Sequence, residues 1–201
     1  MKVLMIDIET TGLSMADDLL EVGLVLATER LHVIDTFTVV VGATAERLEQ
    51  MALFVRDMHH GTGLWEDCLT STVTEEEAHL EALRWLNRQE IDPDEVILAG
   101  GAGFDHFDRP FLRAHGWHSF LNRLHYGSLD VSPMRRMLQL VHPDAVIDFD
   151  GGGYSRDIEH RALSDAHNAL RQAQIYAEVM RLGWDLLVTA EKALGPRKDV
   201  S

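Results

Sequence analysis

KVLMIDIE, at residues 2–9, is an apolar run that changes to alternating polar and apolar residues, a pattern typical of a β-strand. Two similar segments follow, DLLEVGLVLAT at 18–28 and HVIDTFTVVV at 32–41, with only a short polar turn between them. Connections this short are typical of antiparallel neighbours, because parallel strands need a long crossover. We therefore expect an antiparallel meander that begins with the first strand.

Helices alternate with strands in the rest of the chain. The expected elements are a helix at 44–57, a helix from Thr74 to about Gln89 with a Thr74–Glu77 capping box, a strand at 95–99, a helix from Phe107 to about His115, a strand at 124–130, a helix opened by Pro133, a helix whose apolar face carries Ala166, Ala169, Leu170, Ala173, Ala177 and Met180, and a last helix at 184–194. Residues 148–157 have the glycine-rich composition of a loop. Since no linker divides the chain, we expect one α/β domain over 1–195 with a mixed sheet, and a frayed tail at 196–201.

The charge balance limits the kinds of partner. The chain has 33 Asp and Glu residues and 18 Lys and Arg residues, which gives a net charge of -15. Proteins that bind long nucleic acids through many phosphate contacts are usually basic, so this balance argues against that role. An enzyme that holds one or two nucleotides through bound cations remains compatible with it.

The compartment is predicted from cysteine usage and hydropathy. The single cysteine, Cys68, excludes an internal disulfide and a CxxC site. No window approaches 18 apolar residues, and the apolar stretch at 3–6 is too short for a signal peptide. We expect a cytoplasmic protein without a membrane segment.

The first candidate site is a pair of carboxylates on the first strand. Asp7 and Glu9 are two residues apart, so they lie on one face of that strand. Acid-x-acid pairs are common in a chain this acidic, but a strand interior rejects two charges unless something pairs them. Carboxylate oxygens are the ligands that Mg²⁺ and Mn²⁺ prefer, and the pair is a candidate cation site.

Two further motifs add acids and a histidine. Asp108 precedes a helical pattern, where capping that helix is an equally good interpretation. Asp165 lies in the first turns of the long helix, and His160 comes five residues before it; locally, a surface histidine and a helix-dipole acid explain both. Together the three motifs supply what a two-metal phosphoryl-transfer site needs, namely carboxylates for two cations about 4 Å apart and a base near neutral pKa.

These motifs resemble those of a known family. IDIETTGL (6–13), FDRPFL (107–112) and HRALSD (160–165) are similar to the three motifs of the DEDDh 3′→5′ exonucleases, which have a ribonuclease H-like fold. HHGTGL (59–64) and HY…LDVS (125–132) extend the similarity to oligoribonuclease, which degrades very short RNAs to mononucleotides. The resemblance covers about residues 1–181.

The resemblance implies roles for particular residues. Asp7, Glu9, Asp108 and Asp165 would hold two Mg²⁺ or Mn²⁺ ions, and His160 would act as the general base. The substrate-binding residues would be Thr11, Gly12, Leu13, Phe54 and Tyr126, with Leu13 between the last two bases, Phe54 in place of a stacking tryptophan, and Tyr126 reaching a second subunit. A homodimer acting on short single-stranded RNA is implied.

Ordinary structural roles are alternatives at several of these positions. Leu13 and Phe54 could be core residues, Tyr126 could be a packed strand aromatic, and Asp130 is expected to cap the helix near Pro133. The chain also departs from oligoribonuclease at Thr10, where methionine is usual, and in the glycine-rich stretch at 99–108.

Three other functions stay open at this point. A DNA exonuclease of the same fold, such as a proofreading subunit, is compatible with the three motifs. A catalytically idle nucleic-acid-binding domain is disfavoured because all five candidate catalytic residues are present. Zinc binding at His59 and His60 is disfavoured because adjacent histidines rarely chelate one ion.

Overall fold

The computed structural model of this chain describes residues 1–141 and 160–194. The strands are β1 (Lys2–Thr10), β2 (Leu19–Ala27), β3 (Val33–Val40), β4 (Val96–Gly100) and β5 (Ser128–Asp130). The helices are α1 (Ala45–Glu49), α2 (Leu53–Gly61), α3 (Leu64–Thr70), α4 (Glu75–Arg88), α5 (Asp108–Ala114), α6 (His118–Leu121), α7 (Ser132–Val141) and α8 (Ala162–Leu194), with a 3-10 turn at Pro93–Glu95.

The five strands form one mixed sheet in the order β3-β2-β1-β4-β5. β1 pairs with β2 and β2 with β3 in antiparallel register, which confirms the predicted meander. β4 lies parallel to β1 on the other side, and β5 lies parallel to β4. The predicted α/β class with a mixed sheet flanked by helices is therefore confirmed.

The two faces of β1 have different neighbours. Leu4, Ile6 and Ile8 belong to a core that includes side chains of α4, α5 and α6. Val3 and Met5, on the opposite face, pack in a second core with side chains of α8. Since side chains alternate along a strand, Asp7 and Glu9 continue the face that α8 covers.

Most predicted elements are present, with different ends. The capping box of α4 forms as expected, because Thr74 accepts from the amide of Glu77 and the Glu77 carboxylate accepts from the amide of Thr74. The predicted helix at 44–57 is wrong as one element: it is divided into α1 and α2, since Ala52 has extended backbone angles (φ -56°, ψ 143°). The predicted strand at 124–130 shrinks to the three residues of β5. The short helices α3 and α6 were not predicted.

The prediction of a separate last helix at 184–194 is also wrong. α8 continues through Gly183 to Leu194, and no separate helix begins at 184. Arg181 donates to Glu178 and Asp185, and the second of these bonds spans the glycine. One glycine costs a helix only about 1 kcal/mol, which is too little to end it.

The predicted apolar face of α8 is buried only in its first half. Ala166, Ala169, Leu170 and Ala173 are buried, whereas Ala177 and Met180 are exposed. A helix of 33 residues is about 50 Å long, and strands of nine residues span about 30 Å, so the helix extends beyond the sheet.

Two predictions concern residues outside the described part of the chain: the loop at 148–157 and the tail at 196–201. Along the residues that the structure describes, none of the helices combines the length and the apolar character that crossing a membrane requires.

Candidate active site

The site begins where β1 ends. In the antiparallel register Asp7 lies opposite Gly23 of β2, and Glu9 lies opposite Glu21. The register shifts between Glu9 and Thr10, an irregularity of the kind that often lies next to functional sites. Asp7 is half-buried and Glu9 is only 7% exposed, so both carboxylates are largely shielded from water.

The first turn of α8 lies directly against β2. A Cβ atom built on Gly23 would be 2.2 Å from the carbonyl carbon of Ala162 and 2.2 Å from the amide nitrogen of Leu163. Only glycine permits this contact between strand and helix. Because Gly23 is the cross-strand partner of Asp7, the contact brings the start of α8 to the carboxylates of β1.

This approach brings Asp165 and His160 to the site. One ligand atom from each of Glu9, His160 and Asp165 lies within 4.8 Å of the others. The His160 amide donates to Asp165 Oδ2 at 3.0 Å, and Asn168 Nδ2 donates to the other Asp165 oxygen at 3.4 Å. The exposed His160 has φ +69°, in the left-handed region.

Asp108 reaches the same end of the sheet from another direction. It is the first residue of α5, which follows β4, and the carboxyl ends of the parallel strands β1 and β4 lie on one side. The expectation that it caps α5 is not met: the N-cap position is held by Phe107, which makes no side-chain cap bond. Asp108 is instead buried, with 7% of its surface exposed.

The electrostatics of the carboxylates fit a divalent cation. Burial raises the pKa of Glu9 to about 8 and the pKa of Asp108 to about 7. Burial also raises the pKa of Asp7 well above its usual range, and the charges of Asp108 and Asp165 raise it further. Shielded carboxylates that repel one another are the oxygen donors that hard divalent cations bind. The residues therefore fit a metal centre of the Mg²⁺ or Mn²⁺ type.

Two further residues at this site are not singled out by the motif spacings. Glu21, 2% exposed, accepts from Arg161 Nε and Nη2 and from the amide of Ala162. A carboxylate inside the otherwise apolar strand LLEVGLVLA is a signal from which Glu21 could have been found. Arg161 carries no comparable signal, because its partner is 140 residues away.

The segment after β1 forms a closed loop. The Thr11 amide donates to the carbonyl of Asp18 at 2.9 Å, and the Asp18 amide donates to Thr11 Oγ1 at 2.9 Å. Asp17 Oδ2 accepts from the amide of Ser14 and occupies the space that a Cβ on Gly12 would need. Between these bonds the side chain of Leu13 is 83% exposed.

The remaining substrate-binding candidates are exposed apolar side chains. Phe54 on α2 is 76% exposed and Tyr126 is 86% exposed. The alternative that Leu13 and Phe54 are core residues is therefore wrong, as is that of Tyr126 as a packed strand aromatic, since Tyr126 precedes β5. Asp130 accepts from the amide of Ser132, the first residue of α7, as expected of a capping residue.

The histidine pair does not form a zinc site. His59 is fully buried, and its Nε2 bonds the carbonyl of Thr10 at 3.1 Å. His60 instead stacks on Trp65 and bonds Glu66. The two rings thus have separate partners. Burial also raises the pKa of the Cys68 thiol to about 12, which makes this side chain a poor metal ligand.

Comparison with known proteins agrees with this arrangement. The family model RNase_T, described as an exonuclease, matches residues 4–173. An oligoribonuclease of Nocardia farcinica is 30% identical over 181 residues, which cover 87% of this chain and 78% of the relative. The mitochondrial oligoribonuclease of Mus musculus is 27% identical, with 87% of this chain and 71% of the relative covered.

Solved structures support the fold. The zinc-bound complex of Escherichia coli ExoI with single-stranded DNA superposes with a TM-score of 0.64 at 15% identity, covering 94% of this chain. Exonuclease I of Methylocaldum szegediense gives a TM-score of 0.60 at 16% identity, with 88% of this chain covered. The chain spans less than half the length of either protein, 43% and 40%.

The sheet order and the flanking helices define the ribonuclease H-like exonuclease fold class. Within that class, the chain belongs to the RNase_T exonuclease family, and oligoribonucleases are among its relatives.

Proposed function

We propose that this protein is a metal-dependent 3′→5′ exonuclease that degrades short single-stranded RNA to nucleoside 5′-monophosphates, and that residues 1–195 form a single domain for this activity. The observation that carries the proposal is the convergence of Glu9, His160 and Asp165 within 4.8 Å at one end of the sheet. Asp108 lies close enough to Asp7 for its charge to add to burial in raising the pKa of Asp7. The oligoribonuclease relatives favour RNA as the substrate.

Four carboxylates are available for metal binding. Asp7, Glu9, Asp108 and Asp165 would hold two Mg²⁺ or Mn²⁺ ions, which when bound supply an activated water and stabilise the leaving 3′ oxygen. The raised pKa values support this assignment, because a cluster of protonated carboxyls becomes a set of charged ligands once cations compensate the repulsion.

His160 would act as the general base. Its imidazole is exposed beside Glu9 and Asp165, so it can accept a proton from a water that attacks the terminal phosphodiester in line. The hydrogen bond from the His160 amide to Asp165 Oδ2 links the backbone of this base to one proposed metal ligand. The positions of the base and of that ligand therefore depend on each other.

Recognition of a short substrate would depend on few contacts. The proposed binding residues are Thr11 and Gly12 for the terminal nucleotide, Leu13 between the last two bases, and Phe54 as a stacking platform. The exposure of Leu13 and Phe54 supports these roles. A net charge of -15 is suited to a substrate with few phosphates, for which counterion release adds little affinity.

We also propose a homodimer in which Tyr126 reaches the partner's site. The support is its exposure, together with the bond from Arg109 Nη2 that fixes the carbonyl of Tyr126 at 3.0 Å. Sedimentation velocity tests this: a monomer at micromolar concentration would contradict it. We further propose a cytoplasmic location, which suits the buried free thiol of Cys68 and can be checked by cell fractionation.

Incubation of 5′-labelled RNA of two to seven nucleotides with Mn²⁺ tests the proposed activity, with Asp7→Asn as the matched control. We expect stepwise loss of 3′ mononucleotides by the wild type and none by the variant. Matched DNA oligomers run beside the RNA. Cleavage of DNA alone would indicate a DNA exonuclease, and cleavage of neither would leave an idle binding domain.

A further inference from the structure

The strongest unassigned feature beside the site is the contact between Glu21 of β2 and Arg161, the residue after His160. Arg161 Nε lies 3.0 Å from Glu21 Oε2, and Arg161 Nη2 lies 2.9 Å from Glu21 Oε1, which makes the pair bidentate. Glu21 Oε2 also accepts from the amide of Ala162 at 2.9 Å. One buried carboxylate thus binds the side chain of residue 161 and the backbone of residue 162.

Arg161 also contacts α3 and the turn that precedes it. Its Nη2 lies 2.9 Å from Asp67 Oδ2, and its Nη1 lies 3.4 Å from the carbonyl of Thr62. The guanidinium therefore connects β2, the start of α8, and α3 with the turn that precedes it. Its planar fork of donors makes these contacts at once, which the single ammonium of a lysine cannot do.

These contacts flank a strained residue. A left-handed conformation at a side chain other than glycine persists only when the surrounding structure holds it, and His160 adopts φ +69°. On the C-terminal side of His160, the Glu21 carboxylate binds the side chain of Arg161 and the backbone amide of Ala162. The Glu21–Arg161 pair therefore lies directly beside the strained residue in the chain.

We propose that Arg161, through its bidentate pair with Glu21, is a positioning residue that holds His160 and Asp165 in their places at the carboxylate cluster. This rests on the proposed exonuclease function and adds to it a pair of residues that need not touch the substrate. A displacement of about 1 Å at a reacting group can cost 10²-fold in rate, so loss of the fork should be visible in turnover.

Arg161→Lys tests the proposal, because it keeps the charge and removes the fork. Arg181→Lys is the matched control: Arg181 is exposed on α8, the helix that Arg161 precedes, and also pairs with two carboxylates. We expect kcat on a short RNA to fall by about 10²-fold in Arg161→Lys with KM within about twofold, and no change in the control. Millimolar guanidinium should restore part of the activity of Arg161→Ala.

Hydrogen exchange of the metal-free protein supplies a readout that does not need activity. The amides of residues 160–165 should exchange at least tenfold faster in Arg161→Lys, with the amides of β4 unchanged. Wild-type kcat and exchange rates in Arg161→Lys would overturn the proposal, as would equal acceleration of exchange over the whole chain. An inactive wild type would contradict the proposed function alone, because the exchange measurement would still test whether the Glu21–Arg161 pair holds residues 160–165.

Discussion

His160 combines a backbone conformation that few side chains adopt with an exposed imidazole at the edge of a carboxylate cluster. Strained residues of this kind often lie at functional sites, where the surrounding structure holds them in place. In this conformation the amide of His160 donates a hydrogen bond to Asp165 Oδ2 at 3.0 Å. The conformation thus orients the proposed base and a proposed ligand together.

His160→Asn removes the imidazole while keeping a side chain that tolerates the left-handed region. We expect kcat on short RNA to fall by about 10²–10⁴-fold, the usual contribution of a general base, with an unchanged melting temperature. His32→Asn, an exposed position in the turn between β2 and β3, is the control. Steady-state kinetics at neutral pH check this, and full turnover by His160→Asn would refute the base assignment.

Single residues differ in how far the sequence reveals them. The period of two predicts a shared face for Asp7 and Glu9 because the signal is local, and the register then adds Gly23 and Glu21 opposite them. The contact of Glu21 with Arg161 depends on the pairing of β1 with β2 and on the seating of α8, both long-range events. No spacing in the sequence encodes it.

At the scale of elements, the site depends on the contact between β2 and α8. Glu21 caps the first turn of the helix by accepting from the amide of Ala162, and Gly23 lets the helix backbone approach the strand. The antiparallel register then aligns these two residues with Glu9 and Asp7. One strand therefore sets the distance between the proposed ligands Asp7 and Glu9 on β1 and Asp165 on α8.

Gly23→Ala should displace the start of α8. The added Cβ would meet backbone atoms at 2.2 Å, which a rotamer change cannot relieve. We expect a loss of about 1–3 kcal/mol in the free energy of unfolding, as for other overpacked sites, together with loss of activity. Gly183→Ala, in the same helix with open space around it, should be neutral or stabilising by up to about 1 kcal/mol. Urea denaturation measures both, and equal stabilities would contradict the close contact.

Elements with local signals are predicted well, and those shaped by tertiary contacts are not. The capping box at Thr74 and Glu77 locates α4, because both partners lie within one turn. The continuity of α8 through Gly183 could not be read in the same way, since glycine only weakens a helix and the ion pairs of Arg181 support it. The break at Ala52 likewise has no glycine or proline to mark it.

At the scale of the whole molecule, the acidic charge has two separate consequences. Most of the 33 acidic residues contribute to an acidic surface, which disfavours long nucleic acids. The shielded carboxylates at the site behave differently, because burial and, after it, the charges of their acidic neighbours raise the pKa values of Asp7 and Glu9. A divalent cation would compensate that repulsion, so the folded state and metal binding should be linked through protons.

The linkage predicts a pH dependence of stability. A carboxyl whose pKa is higher in the folded than in the unfolded state binds more protons when folded. Metal-free stability therefore falls as pH rises from the pKa of the unfolded state to the pKa of the folded state. With the pKa of Glu9 at about 8 and that of Asp108 at about 7, the fall begins near the ordinary carboxyl pKa of about 4 and levels off above about pH 8. His59 and His79, whose lowered pKa values raise stability as pH increases toward about 6.5, oppose the fall below that pH, so the fall should be clearest between pH 6.5 and pH 8.

Differential scanning calorimetry in EDTA measures this fall, which should amount to on the order of 1 kcal/mol per pH unit for each titrating group. Glu9→Gln should flatten it, because the variant removes one titrating group and lessens the repulsion on Asp7. Added Mn²⁺ should raise the melting temperature of the wild type more at pH 8 than at pH 6, since fewer protons must then be displaced from the ligands. Metal-free stability that rises from pH 6.5 to pH 8, or a Mn²⁺ effect independent of pH, would show that the carboxylates do not act as one cation-binding cluster.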